Sequence, residues 1–109
     1  MIKDCIPPDK DMSAISEKDK KKIIGLINVI IPDASIILFG SRARGTQQAG
    51  SDVDLALDAG RKLDAYELAE IMGVLDGTNL PYRVDVLDLN TVSDTMRDSI
   101  QKEGILWNM

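Results

Sequence analysis

One loop between two apolar runs constrains this chain more than any other feature. The loop opens with Gly40-Ser41 directly after the run Ile-Ile-Leu-Phe, and it closes with Asp52 and Asp54, where a run Leu-Ala-Leu follows. The two runs predict strands, and residues i and i+2 of a strand face the same way. Asp52 and Asp54 therefore point to one face, close enough to hold the same cation. Two carboxylates beside a turn of small residues are what metal-dependent phosphoryl or nucleotidyl transfer requires.

An ordinary hairpin connection is the alternative interpretation of this loop, since Gly, Ser and Asp all form turns. In that case Asp52 would only open a strand as a solvated residue. Asp54 does not fit this interpretation, because it lies between Val53 and Leu55 and aspartate is disfavoured inside strands. The loop is therefore favoured as a functional site.

The spacing within the loop resembles the signature of a known superfamily. Gly40-Ser41, ten intervening residues and Asp52-x-Asp54 are similar to the motif of the DNA polymerase beta-like nucleotidyltransferases, and Phe-Gly-Ser-Arg-Ala-Arg-Gly resembles their minimal nucleotidyltransferase (MNT) branch. The resemblance runs in order over about residues 35–88, roughly half of the chain. It implies that the Gly-Ser turn holds a nucleoside triphosphate, that the two aspartates bind Mg²⁺, and that a later strand supplies a third carboxylate.

Four residues at the start of the loop are the predicted nucleotide contacts. The turn Gly40-Ser41 should present backbone N–H groups and a hydroxyl to the β- and γ-phosphates, and glycine allows a phosphate to approach the backbone closely. Arg42 and Arg44 are candidates because guanidinium groups pair well with phosphate oxygens. Arg42 is favoured because it is nearer the turn, although either could be an ordinary surface arginine.

Two aspartates in a later apolar run compete to be the third carboxylate. The resemblance points to an aspartate inside the strand, which is Asp85, and strand parity agrees, because the valines on either side would face the core. Asp88 would then lie at the strand end in a turn or capping role. The predicted catalytic and metal-binding set is therefore Asp52, Asp54 and Asp85. This set would hold two Mg²⁺ ions, or Mn²⁺ instead, and Asp85 would take the acceptor proton in a chain without histidine.

Apolar periodicity and turn residues predict three helices and three strands. The helices are expected to begin at Ser16, at Asp64 and at either Asn90 or Thr91, and to end at Pro32, Gly77 and Gly104. The strands are expected at about 35–39, 53–58 and 82–87. Four apolar residues of the second helix should be buried, namely Leu68, Ile71, Met72 and Leu75. The lysines of the first helix should form a solvated face. The three apolar residues at 105–107 should pack on the core, with an exposed anchor for a partner as the alternative.

These elements predict an α/β (α+β) fold, a small mixed sheet packed by helices as in the polymerase beta-like nucleotidyltransferases. A chain of 109 residues has room for one core. We expect residues 1–15 to form an irregular arm and residues 16–109 to form a single minimal nucleotidyltransferase domain. Neither a signal peptide nor an apolar run near eighteen residues is present, so we expect a cytoplasmic protein without a membrane partner.

The net charge of −5 argues against nucleic acid as a partner, because such binding needs a basic surface. It does not exclude a nucleoside triphosphate such as ATP, since a bound metal supplies local positive charge. Proteins resembling this one act with a separate small helical protein, which is either a HEPN-type toxin or a substrate-binding subunit. An oligomer is also compatible with the sequence.

Two functional hypotheses follow. The first is a metal-dependent nucleotidyltransferase that moves a nucleoside monophosphate, expected to be AMP from ATP, to a hydroxyl on the helical partner. The alternative is a catalytically weak binding module that neutralises or completes that partner by contact. The three carboxylates favour the enzyme, because a pure binder has no need to concentrate like charges.

Overall fold

The computed structural model describes residues 15–45 and 52–108. The predicted arm, apart from residue 15, therefore lies outside the described residues, as does most of the loop before Asp52. Within them, helices and strands alternate along the chain. They are α1 (Glu17–Ile30), β1 (Ser35–Phe39), α2 (Ser41–Arg44), β2 (Val53–Asp58), α3 (Ala65–Asp76), β3 (Val84–Asp88), α4 (Asp94–Glu103) and β4 (Ile105–Leu106).

The four strands form one mixed sheet in the order β3-β2-β1-β4. β1 runs antiparallel to both β2 and β4, whereas β2 and β3 are parallel. Parallel neighbours cannot be joined by a tight turn, and α3 provides the crossover between them. The predicted mixed sheet packed by helices is confirmed.

Alternation along the strands buries both faces of the sheet. Leu55 belongs to the larger core cluster, which includes Ile23 of α1 and Ile71 of α3. Its neighbour Ala56 belongs to a second cluster with Ile100 of α4. The first face is thus covered by α1 and α3 and the second by α4, and Asp54 shares the second face by strand parity.

Side chains cap the N-termini of the three long helices. Ser16 Oγ accepts from the Asp19 N–H at 3.1 Å, and Asp64 forms a reciprocal capping box with Glu67. The predicted cap at Asn90 or Thr91 is wrong, because Ser93 caps α4. The two earlier residues are instead used in the turn after β3, where the Asn90 N–H and the Thr91 hydroxyl both donate to Asp88.

Two expectations about burial are also wrong. Met72 of α3 is 43% exposed, because its side chain lines a cavity beside β3 rather than the core. Lys20 of α1 is only 6% exposed, and its Nζ lies 5.8 Å from the centre of the Trp107 ring. A cation over an aromatic face explains how a lysine is accommodated there.

The chain near residue 108 closes the free edge of β1. Ile105 and Trp107 are buried, so the predicted packing on the core is confirmed, and the short strand β4 was not expected. The Asn108 side chain continues the pairing: its Oδ1 accepts from the Ile36 N–H at 2.7 Å, and its Nδ2 donates to the Ala34 carbonyl at 2.9 Å. The Asn108 side-chain amide thus continues the hydrogen bonding along the edge of β1 beyond β4.

β3 begins at Val84, two residues later than expected. The residue that the sequence placed first in this strand, Tyr82, turns instead towards α1 and donates its hydroxyl to Asp19. Across the described ranges, no helix is both long enough and apolar enough to cross a membrane.

Candidate active site

The Gly40-Ser41 turn follows β1 directly and lies against Asp54. Gly40 has φ 77° and ψ −155°, a region that is essentially restricted to glycine. A Cβ at this position would collide with Asp54 Oδ2. Ser41 begins the single-turn helix α2, which ends at Arg44 and has Gly45 as its C-cap. Glycine is therefore required both for the backbone conformation and for the contact that places the turn against the carboxylate.

Gly40→Ala tests this contact. We expect the fold to lose more than about 1 kcal/mol, because alanine is strained at this backbone conformation. Displacement of Asp54 should also weaken binding of Mg-ATP, measured by titration calorimetry beside a thermal melt. Gly25→Ala is the matched control, since Gly25 is helical with open space around it, and this change should be neutral or slightly stabilising. Unchanged nucleotide affinity in Gly40→Ala would show that the turn is only a connection.

Asp54 and Asp85 are direct neighbours across the two parallel strands β2 and β3. They face the same side of the sheet, and the strands are about 4.8 Å apart. Burial, followed by the charges of Asp85 and Asp52, raises the pKa of the Asp54 carboxyl above its ordinary value, while Arg44 acts to lower that pKa. The strand register thus brings together two of the three predicted carboxylates, and Asp52 precedes β2 in an exposed position.

The three carboxylates do not form a closed cluster. Among residues 15–45 and 52–108, no three His, Cys, Asp or Glu side chains lie close enough together to hold a metal ion. Asp85 instead forms an ion pair with Arg83, whose Nε lies 3.0 Å from Asp85 Oδ1. The donor chemistry still fits Mg²⁺, which prefers carboxylate oxygens. A cation would offset the carboxylate repulsion that adds to the effect of burial in raising the pKa of Asp54. The predicted metal set remains a prediction.

The two predicted phosphate-binding arginines lie in different surroundings. Arg42 is 7% exposed, and its guanidinium carbon lies 5.0 Å from the centre of the Tyr82 ring. Arg44 is half exposed and lies 3.4 Å from Glu103. The arginine nearer the turn is therefore the buried one, whereas Arg44 is at the surface. Phosphate contact by either residue remains a prediction.

Asp88 has a structural role in the turn at the end of β3, the alternative to metal binding that the sequence offered for it. Its side chain is 2% exposed, and its two oxygens accept from the Leu63 N–H at 2.7 Å and the Asn90 N–H at 2.9 Å. It also faces the opposite side of the sheet from Asp85 by parity. Asp88 therefore joins the end of β3 to the segment before α3.

A small cavity lies between α3 and the beginning of β3, beside Asp85. Its lining residues come from α3 and from the beginning of β3, and they are Met72, Asp76, Arg83, Val84 and Asp85. Neither Arg83 nor Tyr82 was among the predicted site residues. The spacing Arg83-x-Asp85 was a usable signal, because i and i+2 in a strand share a face. No local signal points to Tyr82, since its contacts come from α1 and α2.

A glycine turn set against an aspartate of a central strand in a mixed sheet is the arrangement expected of a nucleotidyltransferase domain. The chain belongs to the polymerase beta nucleotidyltransferase family, whose model matches residues 21–107.

Two curated relatives are protein adenylyltransferases. The chain is 34% identical over 77 residues to the probable protein adenylyltransferase MntA of Haemophilus influenzae, an alignment that covers 71% of this chain and 68% of that protein. It is 34% identical over 95 residues to the protein adenylyltransferase MntA of Shewanella oneidensis, covering 83% of this chain and 65% of that protein. The chain therefore spans about two thirds of the length of these relatives.

Solved structures with the same fold include toxin–antitoxin complexes. A toxin–antitoxin crystal structure with AMP-PNP matches with a TM-score of 0.71 and 33% identity, covering 83% of this chain and 73% of that chain. A tri-AMPylated Shewanella oneidensis HEPN toxin in complex with its MNT antitoxin matches with a TM-score of 0.68 and 27% identity, covering 86% and 72%.

Proposed function

We propose that this chain is a metal-dependent nucleotidyltransferase that transfers AMP from ATP to a hydroxyl of a separate small helical protein. The observation that carries the proposal is the contact of the Gly40 turn with Asp54, directly beside Asp85. A phosphate-binding turn and neighbouring carboxylates are the parts that nucleotidyl transfer needs.

Each part of the site has a role in the proposed reaction. The Gly40-Ser41 backbone N–H groups and the Ser41 hydroxyl bind the β- and γ-phosphates, with Arg44 at the surface of the same turn. Asp52, Asp54 and Asp85 would hold two Mg²⁺ ions, which supply charge neutralisation at the phosphates and at the acceptor oxygen when bound. The acceptor oxygen bonds to the α-phosphorus, the bond to the bridging oxygen breaks and pyrophosphate leaves. Asp85 takes the acceptor proton.

The position of Asp85 supports an acceptor that approaches from the cavity between α3 and the beginning of β3. Asp85 lines this cavity and is also the strand neighbour of Asp54, which contacts the Gly40 turn. A nucleotide held at the Gly40 turn and Asp54 would thus have Asp85 between it and the cavity. The net charge of −5 supports a protein acceptor rather than a nucleic acid.

A second candidate function is favoured by the Arg83–Asp85 ion pair. A carboxylate already neutralised by arginine would be less available to a metal ion. The chain would then act as a binding module that neutralises its helical partner by contact, without transfer.

Transfer to protein is tested with labelled ATP, Mg²⁺ and a small helical protein encoded by a neighbouring reading frame. We expect label on that protein, and we expect Asp52→Asn with Asp54→Asn to abolish it, because two of the three predicted metal ligands are lost. Asp33→Asn with Asp98→Asn is the matched control, since it removes the same charge from two exposed positions. Label on RNA with the partner unmodified would favour a nucleic-acid nucleotidyltransferase. A stable complex without label on either would favour the binding module.

A further inference from the structure

We propose that Tyr82 is a positioning residue that holds the Gly40-Ser41 turn in register with the strand that carries Asp85. This inference rests on the proposed function, because it concerns the nucleotide site of that reaction. It assigns a role to a side chain outside the predicted site and changes the role of Arg42.

Tyr82 contacts two helices from a position just before β3. Its hydroxyl donates to Asp19 Oδ2 of α1 at 2.9 Å. Its ring is covered by the guanidinium of Arg42 of α2, 5.0 Å from the ring centre. Arg42 directly follows Ser41 in the chain, and Tyr82 precedes Asp85 by only three residues. One side chain therefore links the predicted phosphate-binding turn to the beginning of the strand with the third predicted carboxylate.

Burial and the shape of the two side chains strengthen the contacts of Tyr82. Arg42 is 7% exposed, and a cation–π contact is stronger when the cation is desolvated. A planar guanidinium also stacks on an aromatic face in a way that an ammonium does not. Burial and the bond to Asp19 raise the pKa of the Tyr82 hydroxyl, which keeps it protonated as the donor at neutral pH. Both ends of the Tyr82 side chain therefore make contacts, the ring with Arg42 and the hydroxyl with Asp19.

The turn needs such support because α2 is only four residues long. A single helical turn is not stable by itself, since the cost of nucleation exceeds the gain from its few hydrogen bonds. Gly40 connects the turn to β1 and touches Asp54 on β2, but Asp85 lies one strand further out. The Arg42–Tyr82 contact links the turn to the residues just before β3, the strand that carries Asp85. Arg42 thus acts on the site through Tyr82 rather than by binding phosphate itself.

Two variants of Tyr82 separate the ring from the hydroxyl. The probe is α,β-methylene-ATP with Mg²⁺, which binds without reacting at the α-phosphate, and its Kd is measured by titration calorimetry. Tyr82→Phe keeps the ring over Arg42 and should bind within about twofold of the wild type. Tyr82→Leu removes the ring and should bind up to about tenfold more weakly, a bound set by the energy of one desolvated cation–π contact that positions the turn.

A matched control distinguishes positioning from stability. Leu80→Ala removes apolar contacts with the same core two residues earlier, so it should lower Tm while leaving the Kd of the probe unchanged at a temperature where the variant is folded. If Leu80→Ala weakens binding as much as Tyr82→Leu, or if Tyr82→Leu binds like the wild type, the inference is wrong.

A double-mutant cycle tests the role of Arg42. If Arg42 acts through Tyr82, then Arg42→Met should add no further loss of affinity in the Tyr82→Leu background. A full additional loss would mean that Arg42 acts on the nucleotide site by a route other than Tyr82 and would overturn the inference. Failure of the wild type to bind the probe at all would instead contradict the proposed function, so the two failures are distinguishable.

Discussion

Asp85→Asn and Asp88→Asn are expected to fail in different ways, one in transfer and the other in stability. Asp88 is buried and accepts from two backbone N–H groups, and an asparagine would place an N–H₂ group against one of these donors. An unsatisfied buried donor costs about 1–3 kcal/mol, and we expect Tm to fall by about 10 °C. Asp85 is 43% exposed and paired with an exposed arginine, so its loss should change stability by less than about 1 kcal/mol while abolishing transfer.

The comparison requires activity per folded molecule beside a thermal melt for each variant. Asp98→Asn is the control, because it removes the same charge from an exposed position of α4. Asp88→Asn should retain most of its transfer activity at low temperature. If Asp88→Asn were inactive and Asp85→Asn fully active, then Asp88 would be the third metal ligand and the assignment of Asp85 would be wrong.

Asp54→Asn is expected to remove most of the stabilisation that Mg-ATP gives the wild type. A ligand at one hundred times its Kd stabilises a fold by about 2.7 kcal/mol, and we expect the variant to lose nearly all of this shift. Without metal, we expect Asp54→Asn to have the opposite effect on stability. The raised pKa of Asp54 means that its favourable contribution exists at low pH and is lost as the pH rises through the folded-state pKa. At neutral pH, a neutral asparagine should therefore leave the metal-free protein at least as stable as the wild type.

Thermal melts with and without millimolar Mg-ATP, at neutral pH, measure both effects. Asp98→Asn again serves as the control and should show the wild-type shift. An equal shift in the wild type and in Asp54→Asn would place the nucleotide elsewhere. Destabilisation of the metal-free variant would indicate that the Asp54 carboxylate makes a favourable contact in the fold.

The parts of the fold that were predicted correctly depend on local patterns. Ser16 and Asp64 cap their helices as expected, because a cap and the residue that it bonds are three positions apart. β1 and β2 have the expected bounds, since alternation and flanking turn residues are also local. Parity placed Asp85 on the opposite face from its neighbouring valines once a family resemblance had indicated the strand, but the pairing of Asp85 with Asp54 was not predicted.

The wrong predictions of helix caps and burial concern side chains whose contacts are with residues that the local pattern does not show. Asn90 and Thr91 are residue types that can cap a helix. Both instead donate hydrogen bonds to Asp88 at the end of β3. Lys20 was expected on a solvated face, but it is buried with its ammonium over the Trp107 ring, and the contact of Arg42 with Tyr82 was likewise not foreseen. Such contacts join residues far apart in the chain and leave no periodic signal. β4, with two residues, is too short to show one.

The placement of β1 between β2 and β4 has a consequence during protein synthesis. The hydrogen bond that joins Ile36 to Asn108 spans 72 positions, which a ribosome translates in about 4 to 14 s at 5 to 20 residues per second. For that interval the nascent chain carries an apolar strand with one unpaired edge, the kind of edge that recruits other chains. Slow codons between β2 and β4 should therefore increase aggregation and capture by chaperones during expression, although the finished protein is unchanged.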